Sequence, residues 1–399
     1  MSRLAQKNSV FWLQESPLTI IQALKKEVIT EGRELFDLSM INPDIKPHRE
    51  IVDAFIRAVL KGDSHRYSVS KGIRKLRQAF AHKYESAFGV VLDPDTEICV
   101  TMGCKGAVLR ILTVVRPSCP AILLGEPLYP AYISAAKLHR MKIETFPVSL
   151  DESYMLQCIK DKLKHTDIGI VLLNFPSNPG GITVSQTFWD EISALAYNHN
   201  CIVANDFTYG ELLFEGNAES LLASSKSKKN LLEIYSMSKA YCIPGWRIAC
   251  LAGDAAIVES VSQLKSHIDY GIFIPAQLGA GVGLMLPDGV EAPKRAYKSR
   301  INILCKALKQ HEWEIDPPKG GACVWGKMPP SLVQKFTLSQ SGRTPSLQFA
   351  MSLLRDRGIA VMPGEVFGSK FGEYARFAAV LPENRLKKAV ESLAEYISG

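Results

Sequence analysis

From about residue 97 to 252, short apolar runs rich in Val, Ile and Leu alternate with stretches of helical length. Unbroken apolar runs of this size are the mark of strands covered on both faces, and their alternation with helices predicts a mostly parallel sheet of seven strands. The predicted strands are Glu97–Met102, Ala121–Gly125, Lys142–Pro147, Gly169–Asn174, Cys201–Asp206, Leu232–Ser236 and Ile248–Ala252, with helices over 105–115, 130–139 and 184–199 between them. After about 285 the pattern changes to a long helical stretch. Short strands then follow near Trp313, Cys323 and Arg376, mixed with helices over 344–356 and 384–397. The reading is an α/β protein of three segments: 1–45 as an N-terminal arm with part of a small domain, 46–285 as the large domain, and 286–399 as a linker helix with the rest of the small α/β domain. In parallel sheets ligands bind outside the carboxyl ends of the strands. Those ends are polar here, at Asn174, Asp206 and Ser236.

Composition supports a substantial folded core: 399 residues, 47% hydrophobic and 22% charged. No stretch approaches about 18 uninterrupted apolar residues, and the first residues lack a basic and then apolar leader, so a soluble chain without a membrane anchor is expected. Nine scattered cysteines, with no CxxC pair, fit reduced thiols in a cytoplasm and argue against structural zinc or another metal site. The net charge of +7 is spread along the chain, which suits small anionic ligands better than nucleic acid. Gly279-Ala280-Gly281-Val282-Gly283 is GxGxG rather than GxGxxG and does not follow a strand, so small residues on a closely packed helix explain it better than a dinucleotide loop.

Chemistry concentrates in Ser236-Met237-Ser238-Lys239 and the residues up to Gly245-Trp246-Arg247. An amine between two hydroxyls with an arginine eight residues on offers a nucleophile and a phosphate site together. The segment resembles the SxSKxxxxxGxR signature of the class I and II aminotransferases, the pyridoxal-phosphate enzymes of fold type I. Further blocks carry the same resemblance, in the order that family requires: Thr101-Met102-Gly103-Cys104-Lys105-Gly106-Ala107, Glu126-Pro127-Leu128-Tyr129-Pro130, Asn174-Phe175-Pro176-Ser177-Asn178-Pro179-Gly180, Asp206 with Tyr209, Arg376, and Tyr67 ahead of Gly72-Ile73-Arg74-Lys75-Leu76-Arg77. The likeness runs from about Asp37 to Ser398 and leans toward the alanine and LL-diaminopimelate aminotransferase branch.

The resemblance implies a role for each position. Lys239 holds pyridoxal 5'-phosphate and moves the substrate proton. The backbone at Cys104 and Lys105, with Ser236, Ser238 and Arg247, holds the phosphate at a helix N-terminus. Tyr129 stacks on the ring, Asp206 keeps its nitrogen protonated, and Asn178 and Tyr209 bond its phenolic oxygen. Arg376 clamps the substrate carboxylate, with Asn178 and Ile41 beside the substrate, and Tyr67 reaches the phosphate of a neighbouring subunit, which implies a homodimer with shared active sites. The implied activity is ping-pong transfer of an amino group from a neutral, alanine-like amino acid to a 2-oxo acid. Three departures stand out: Ile41 replaces the usual glycine, Cys104 and Gly106 replace a common Ser and Glu, and Cys323 and Val324 replace aromatic residues common after Gly-Gly. The same ligand set also serves carbon–sulfur lyases and oxidative deaminases. A cofactor-binding regulator is a further alternative, which the complete ligand set and the absence of an N-terminal helix-turn-helix extension oppose.

Overall fold

The structure is a computed structural model that describes residues 17–216, 218–224, 227–337 and 342–398; the first sixteen residues of the expected N-terminal arm lie outside these. Its strands in chain order are β1 Phe36–Asp37, β2 Ile98–Met102, β3 Ala121–Glu126, β4 Lys142–Pro147, β5 Ile168–Leu173, β6 Ile202–Asp206, β7 Leu231–Ser236, β8 Ile248–Gly253, β9 Cys323–Lys327, β10 Ile359–Ala360, β11 Met362–Pro363 and β12 Tyr374–Ala378. The chain forms two compact units. The larger holds Asn42–Lys298 with Lys319–Gly321, and the smaller holds the chain up to Ile41, Ser299–Pro318 and the chain from Ala322 onward. Among the described residues, no helix is long and apolar enough to cross a membrane.

The larger unit is built on a seven-stranded sheet in the order β2-β8-β7-β6-β5-β3-β4. Pairs among β3 to β7 are parallel, whereas β8 runs antiparallel to both of its neighbours. The helix Gly103–Val115 shows how the sequence makes this core. Its Ala107, Val108, Ile111, Leu112 and Val115 recur at helical spacing, forming a stripe that packs on Ile122, Leu124, Ile170, Leu172, Ile234 and Leu251 of the sheet. The glycine-rich segment around 281 is the helix Ile274–Met285. A Cβ at Gly279 would stand 2.7 Å from Trp246 and 2.9 Å from the Ile51 carbonyl, and one at Gly283 2.8 Å from Ile51, so bare backbone is what admits the helix Arg49–Val59.

One polar seam crosses this apolar sheet. Glu233 of β7 is fully buried and lies opposite Asn205 of β6. The Ser220 hydroxyl donates to its carboxylate at 2.7 Å, the Leu221 amide at 3.0 Å and the Asn205 side chain at 3.4 Å. Asn205 in turn bonds both backbone groups of Phe175, fixing the turn that leaves β5. Burial outweighs these donors and pushes the Glu233 carboxyl up from its ordinary 4.5 to about 7. An unfolded chain therefore releases this proton near pH 4.5 and the folded one near pH 7. Between those limits the folded state binds the extra proton, so this contribution to stability is full below 4.5 and falls by about 3 kcal/mol as pH rises through 7. Glu233→Gln should flatten that slope and raise stability at alkaline pH. Denaturant titrations on both sides of the window check it, and an unchanged slope refutes it.

The smaller unit carries the three-stranded antiparallel sheet β11-β12-β9 and the parallel pair of β1 with β10. Helices Pro17–Thr30, Pro345–Arg357 and Glu383–Ser398 accompany them. The strand expected near Trp313 does not form: Glu314 makes a single bridge with Lys327. Trp313 is spent on packing, its ring 5.2 Å from Phe377 and 5.6 Å from Phe349, and the following Pro317-Pro318 has no N–H to extend a ladder.

Candidate active site

Seven strands deliver the chemistry of the larger unit to one sheet, and register decides which residues meet. Met102 of β2 pairs with Ile248 of β8, so the residues just beyond that rung, Gly103 and Arg247, are set side by side. Gly103 opens the helix Gly103–Val115 at φ 69°, and a Cβ there would stand 2.2 Å from the Arg247 guanidinium. Only glycine lets the arginine lie against the helix start, where the first amides, including those of Cys104 and Lys105, have no partner within the helix. Arg247 itself is in the left-handed region at φ 59° and is braced by a 2.8 Å bond to the Pro244 carbonyl. Ser236, opposite Ala249 in the next ladder, caps the short helix Met237–Ala240 by accepting the Ser238 amide at 3.2 Å. Lys239 lies in that turn and is half-buried.

A second cluster surrounds Asp206 at the end of β6. Its carboxylate is 4% exposed and accepts the Tyr132 hydroxyl at 2.7 Å and the Thr208 amide at 3.1 Å, with the Thr208 hydroxyl on the same oxygen. Burial pushes the Asp206 carboxyl up while those donors pull it down. The Cys104 thiol lies 2.9 Å from the Thr208 hydroxyl and also meets Ser236, so it joins the two clusters; burial, with Asp206 nearby, holds it protonated far above its ordinary range. The Asn174 amide donates to the Asp206 carbonyl at 2.6 Å, and its oxygen takes the Asn178 amide at 2.9 Å, so the turn after β5 is tied to the end of β6. The Tyr129 ring stands 5.6 Å from that of Tyr132, with the Lys105 ammonium 5.4 Å from its centroid. Tyr209 is buried three residues past Asp206.

Contacts in the larger unit thus link Cys104 with Asp206 and Ser236, tie the Asn178 amide to the end of β6, set Lys105 and Tyr129 beside Tyr132 and lay Arg247 against Gly103, while Tyr209, Ser238 and Lys239 adjoin these groups along the chain. Tyr67 belongs to the same unit but lies at its surface, 93% exposed. Arg376 and Ile41 belong to the smaller unit. There a chain of bonds orients the arginine: Lys25 donates to Asp37, Asp37 accepts both the amide and hydroxyl of Ser39, and the Ser39 carbonyl accepts Arg376 at 2.6 Å. The guanidinium also lies 4.9 Å from the centre of the Phe367 ring. Ile41, two residues past Ser39, is buried.

Sequence reasoning missed Tyr132 and Thr208, the two groups that hold Asp206. Thr208 left a signal, since a hydroxyl two residues after an aspartate commonly folds back on it. Tyr132 left none, because its hydroxyl reaches from the first turn of the helix Ala131–Leu138 to the end of β6, far apart in sequence.

These residues fit a phosphorylated, protonated heteroaromatic cofactor. Free amides with an adjoining arginine make an anion site whose size is set by the missing Cβ of Gly103. A carboxylate whose burial opposes its ionisation suits a cationic ring nitrogen, which restores the balance of charge.

The family model for aminotransferase class I and II matches residues 33–393. The L-glutamine--4-(methylsulfanyl)-2-oxobutanoate aminotransferase of Bacillus subtilis (strain 168) is 31% identical over 386 residues, 94% of this chain and 93% of its own. The glutamate-pyruvate aminotransferase AlaC of Escherichia coli (strain K12) is 28% identical over 94% of this chain and 89% of its own. Among solved structures, substrate-bound BacF from Bacillus subtilis superposes with a TM-score of 0.86 at 26% identity, covering 98% of both chains. An unbroken match across nearly the whole length, together with a fold type I architecture, places this chain in the class I and II aminotransferase family, as a pyridoxal-phosphate-dependent enzyme that transfers amino groups.

Proposed function

We propose that this enzyme takes the amino group of a neutral, alanine-like amino acid and passes it to a 2-oxo acid such as 2-oxoglutarate in a ping-pong cycle, as a homodimer in a reducing cytoplasm. The observation that carries the reading is the link that Cys104 makes between the Asp206 cluster and Ser236, three residues before Lys239, beside the contact of Gly103 with Arg247. Bound pyridoxal phosphate supplies an electron sink for the substrate's Cα. The chain's own groups do the rest. Arg247, Ser236, Ser238 and the amides of Cys104 and Lys105 hold the phosphate, Tyr129 covers the ring, Asp206 keeps a proton on its nitrogen, and Asn178 and Tyr209 bond its phenolic oxygen. Lys239 would hold the cofactor covalently through Nζ, and the same amine, when free, would take the Cα proton. Arg376, its plane fixed by Ser39 and Phe367, is assigned to the substrate carboxylate.

The neutral donor is supported by the stretch from Ser266 to Gln277, which contains no arginine to pair with a second carboxylate, and by the bulk of Ile41. The relatives named for glutamate–pyruvate and LL-diaminopimelate transfer accord with the branch but differ in donor. Nine free thiols suit a reducing compartment. The homodimer rests on Tyr67, whose exposed hydroxyl is assigned to the phosphate of a second copy.

The test is to add single amino acids to the holoenzyme without an acceptor and follow its visible absorption. Loss of the starting band with a neutral donor, and its return with a 2-oxo acid, is the expected result. Pyruvate with ammonia reveals β-elimination and peroxide reveals oxidation, and either overturns the assignment. The cradle has its own test. Gly103→Ala forces the Arg247 guanidinium aside, and its positive φ adds strain, so cofactor affinity should fall by about tenfold or more, the worth of a hydrogen bond to a charged group. Spectroscopic titration of the apoenzyme measures it, and unchanged affinity sinks the cradle as the phosphate site.

A further inference from the structure

We propose that Tyr270 and Gln277 are positioning residues for Tyr67: they hold its exposed ring where its hydroxyl serves a phosphate bound by a second copy of this chain. The inference rests on the assignment of Tyr67 given above.

A tyrosine that is 93% exposed has little packing of its own to choose a rotamer, and a side chain that acts across a subunit boundary must be ordered beforehand or lose affinity in ordering. Here the order comes from the segment 269–273. The Tyr270 ring meets that of Tyr67 edge to face, with centroids 5.8 Å apart and planes at 79°. Tyr270 stands at φ 54°, a left-handed conformation that a residue with a Cβ seldom adopts. Surrounding bonds maintain it. Its amide donates to the Lys265 carbonyl at 2.6 Å, and its carbonyl accepts the ammonium of Lys265, a side chain with no solvent exposure, at 3.1 Å. Asp269 beside it pairs with Arg110, which also bonds the Gly106 carbonyl of the helix that starts at Gly103.

Gln277 joins this segment to that of Tyr67. It is fully buried, and its amide nitrogen donates to the Ser68 hydroxyl at 3.0 Å and the Ile272 carbonyl at 2.5 Å, while its oxygen accepts the Ile73 amide at 2.8 Å. One side chain therefore ties the backbone on both sides of the tyrosine pair. Gly271 closes the join, since a Cβ there would stand 2.6 Å from Ser68. A strained residue kept by a lysine, a buried amide and a glycine contact is a device for aiming a ring, and the ring it touches is Tyr67.

The experiment uses the holoenzyme and reads the cofactor dissociation constant alongside the melting temperature. Tyr67→Phe should weaken cofactor binding about tenfold or more by losing a bond to a charged group. Tyr270→Gly suits φ 54° and so separates ring from backbone: it should keep the melting temperature yet weaken binding to a similar extent, while Tyr270→Phe restores it. Gln277→Leu, read below its melting temperature, should behave like Tyr270→Gly. Combined with Tyr67→Phe, neither should add a further loss. Multiplicative losses in the double variants, or a Tyr270→Gly enzyme that binds like wild type beside a weakened Tyr67→Phe, overturn the positioning role alone. Wild-type affinity in Tyr67→Phe overturns the assignment of Tyr67 and this proposal with it.

Discussion

Lys239→Ala lowers the rate of amino-group transfer by about 10²–10⁴-fold, the usual share of a positioned proton-transfer group. The loss is in chemistry rather than in folding or cofactor retention. Lys239 is half-buried in a turn whose cap is made by Ser236 and Ser238, and the phosphate contacts assigned to Arg247, Ser236 and the helix amides do not depend on its amine. Lys239→Arg should be about as inactive as the alanine variant, since a guanidinium stays protonated and cannot accept the Cα proton. Steady-state turnover measured with cofactor content decides the matter. A variant with near-normal turnover and bound cofactor would remove Lys239 from the reaction.

The other large effect falls at the opposite end of the ring. Asp206→Asn should cut turnover by about 10²-fold or more, because separating a buried charge pair costs about 3–5 kcal/mol and each 1.36 kcal/mol is a factor of ten. The amide keeps the shape of the carboxylate and still offers an oxygen to Tyr132 or Thr208. Stability should therefore change far less than rate, and an Asp206→Asn enzyme with wild-type turnover would show that no ring proton is held there.

Much of the larger unit was legible before any coordinates. Strands buried on both faces write continuous apolar runs, and the polar residues that end them, Asn174, Asp206 and Ser236, are conspicuous for that reason. The SxSKxxxxxGxR signature draws attention to Lys239 and Arg247 because all its members lie within one strand-turn-strand passage. What stayed hidden depends on separations that periodicity does not encode. The antiparallel sense of β8 leaves no mark on its apolar composition. Tyr132 reads as an ordinary core aromatic, and its bond to Asp206 exists only once the helix Ala131–Leu138 packs beside the end of β6. Gln277 sits in a helix of small apolar residues, where an isolated amide gives no hint that it bonds Ser68 and Ile73 far earlier in the chain. The strand expected near Trp313 failed because an aromatic there was read for its strand preference when its ring serves the packing against Phe349 and Phe377.

The pairing of β2 with β8 joins the first strand of the large sheet in sequence to the last. Both ladders of β8 wait for that last strand, but its pairing with β7 closes only a short turn, whereas the rung beside Gly103 and Arg247 closes the longest loop in the sheet, the slowest kind of encounter in folding. A nascent or truncated chain that stops short of β8 therefore lacks the contact of Gly103 with Arg247, to which the cofactor phosphate is assigned, however well its parallel strands have assembled.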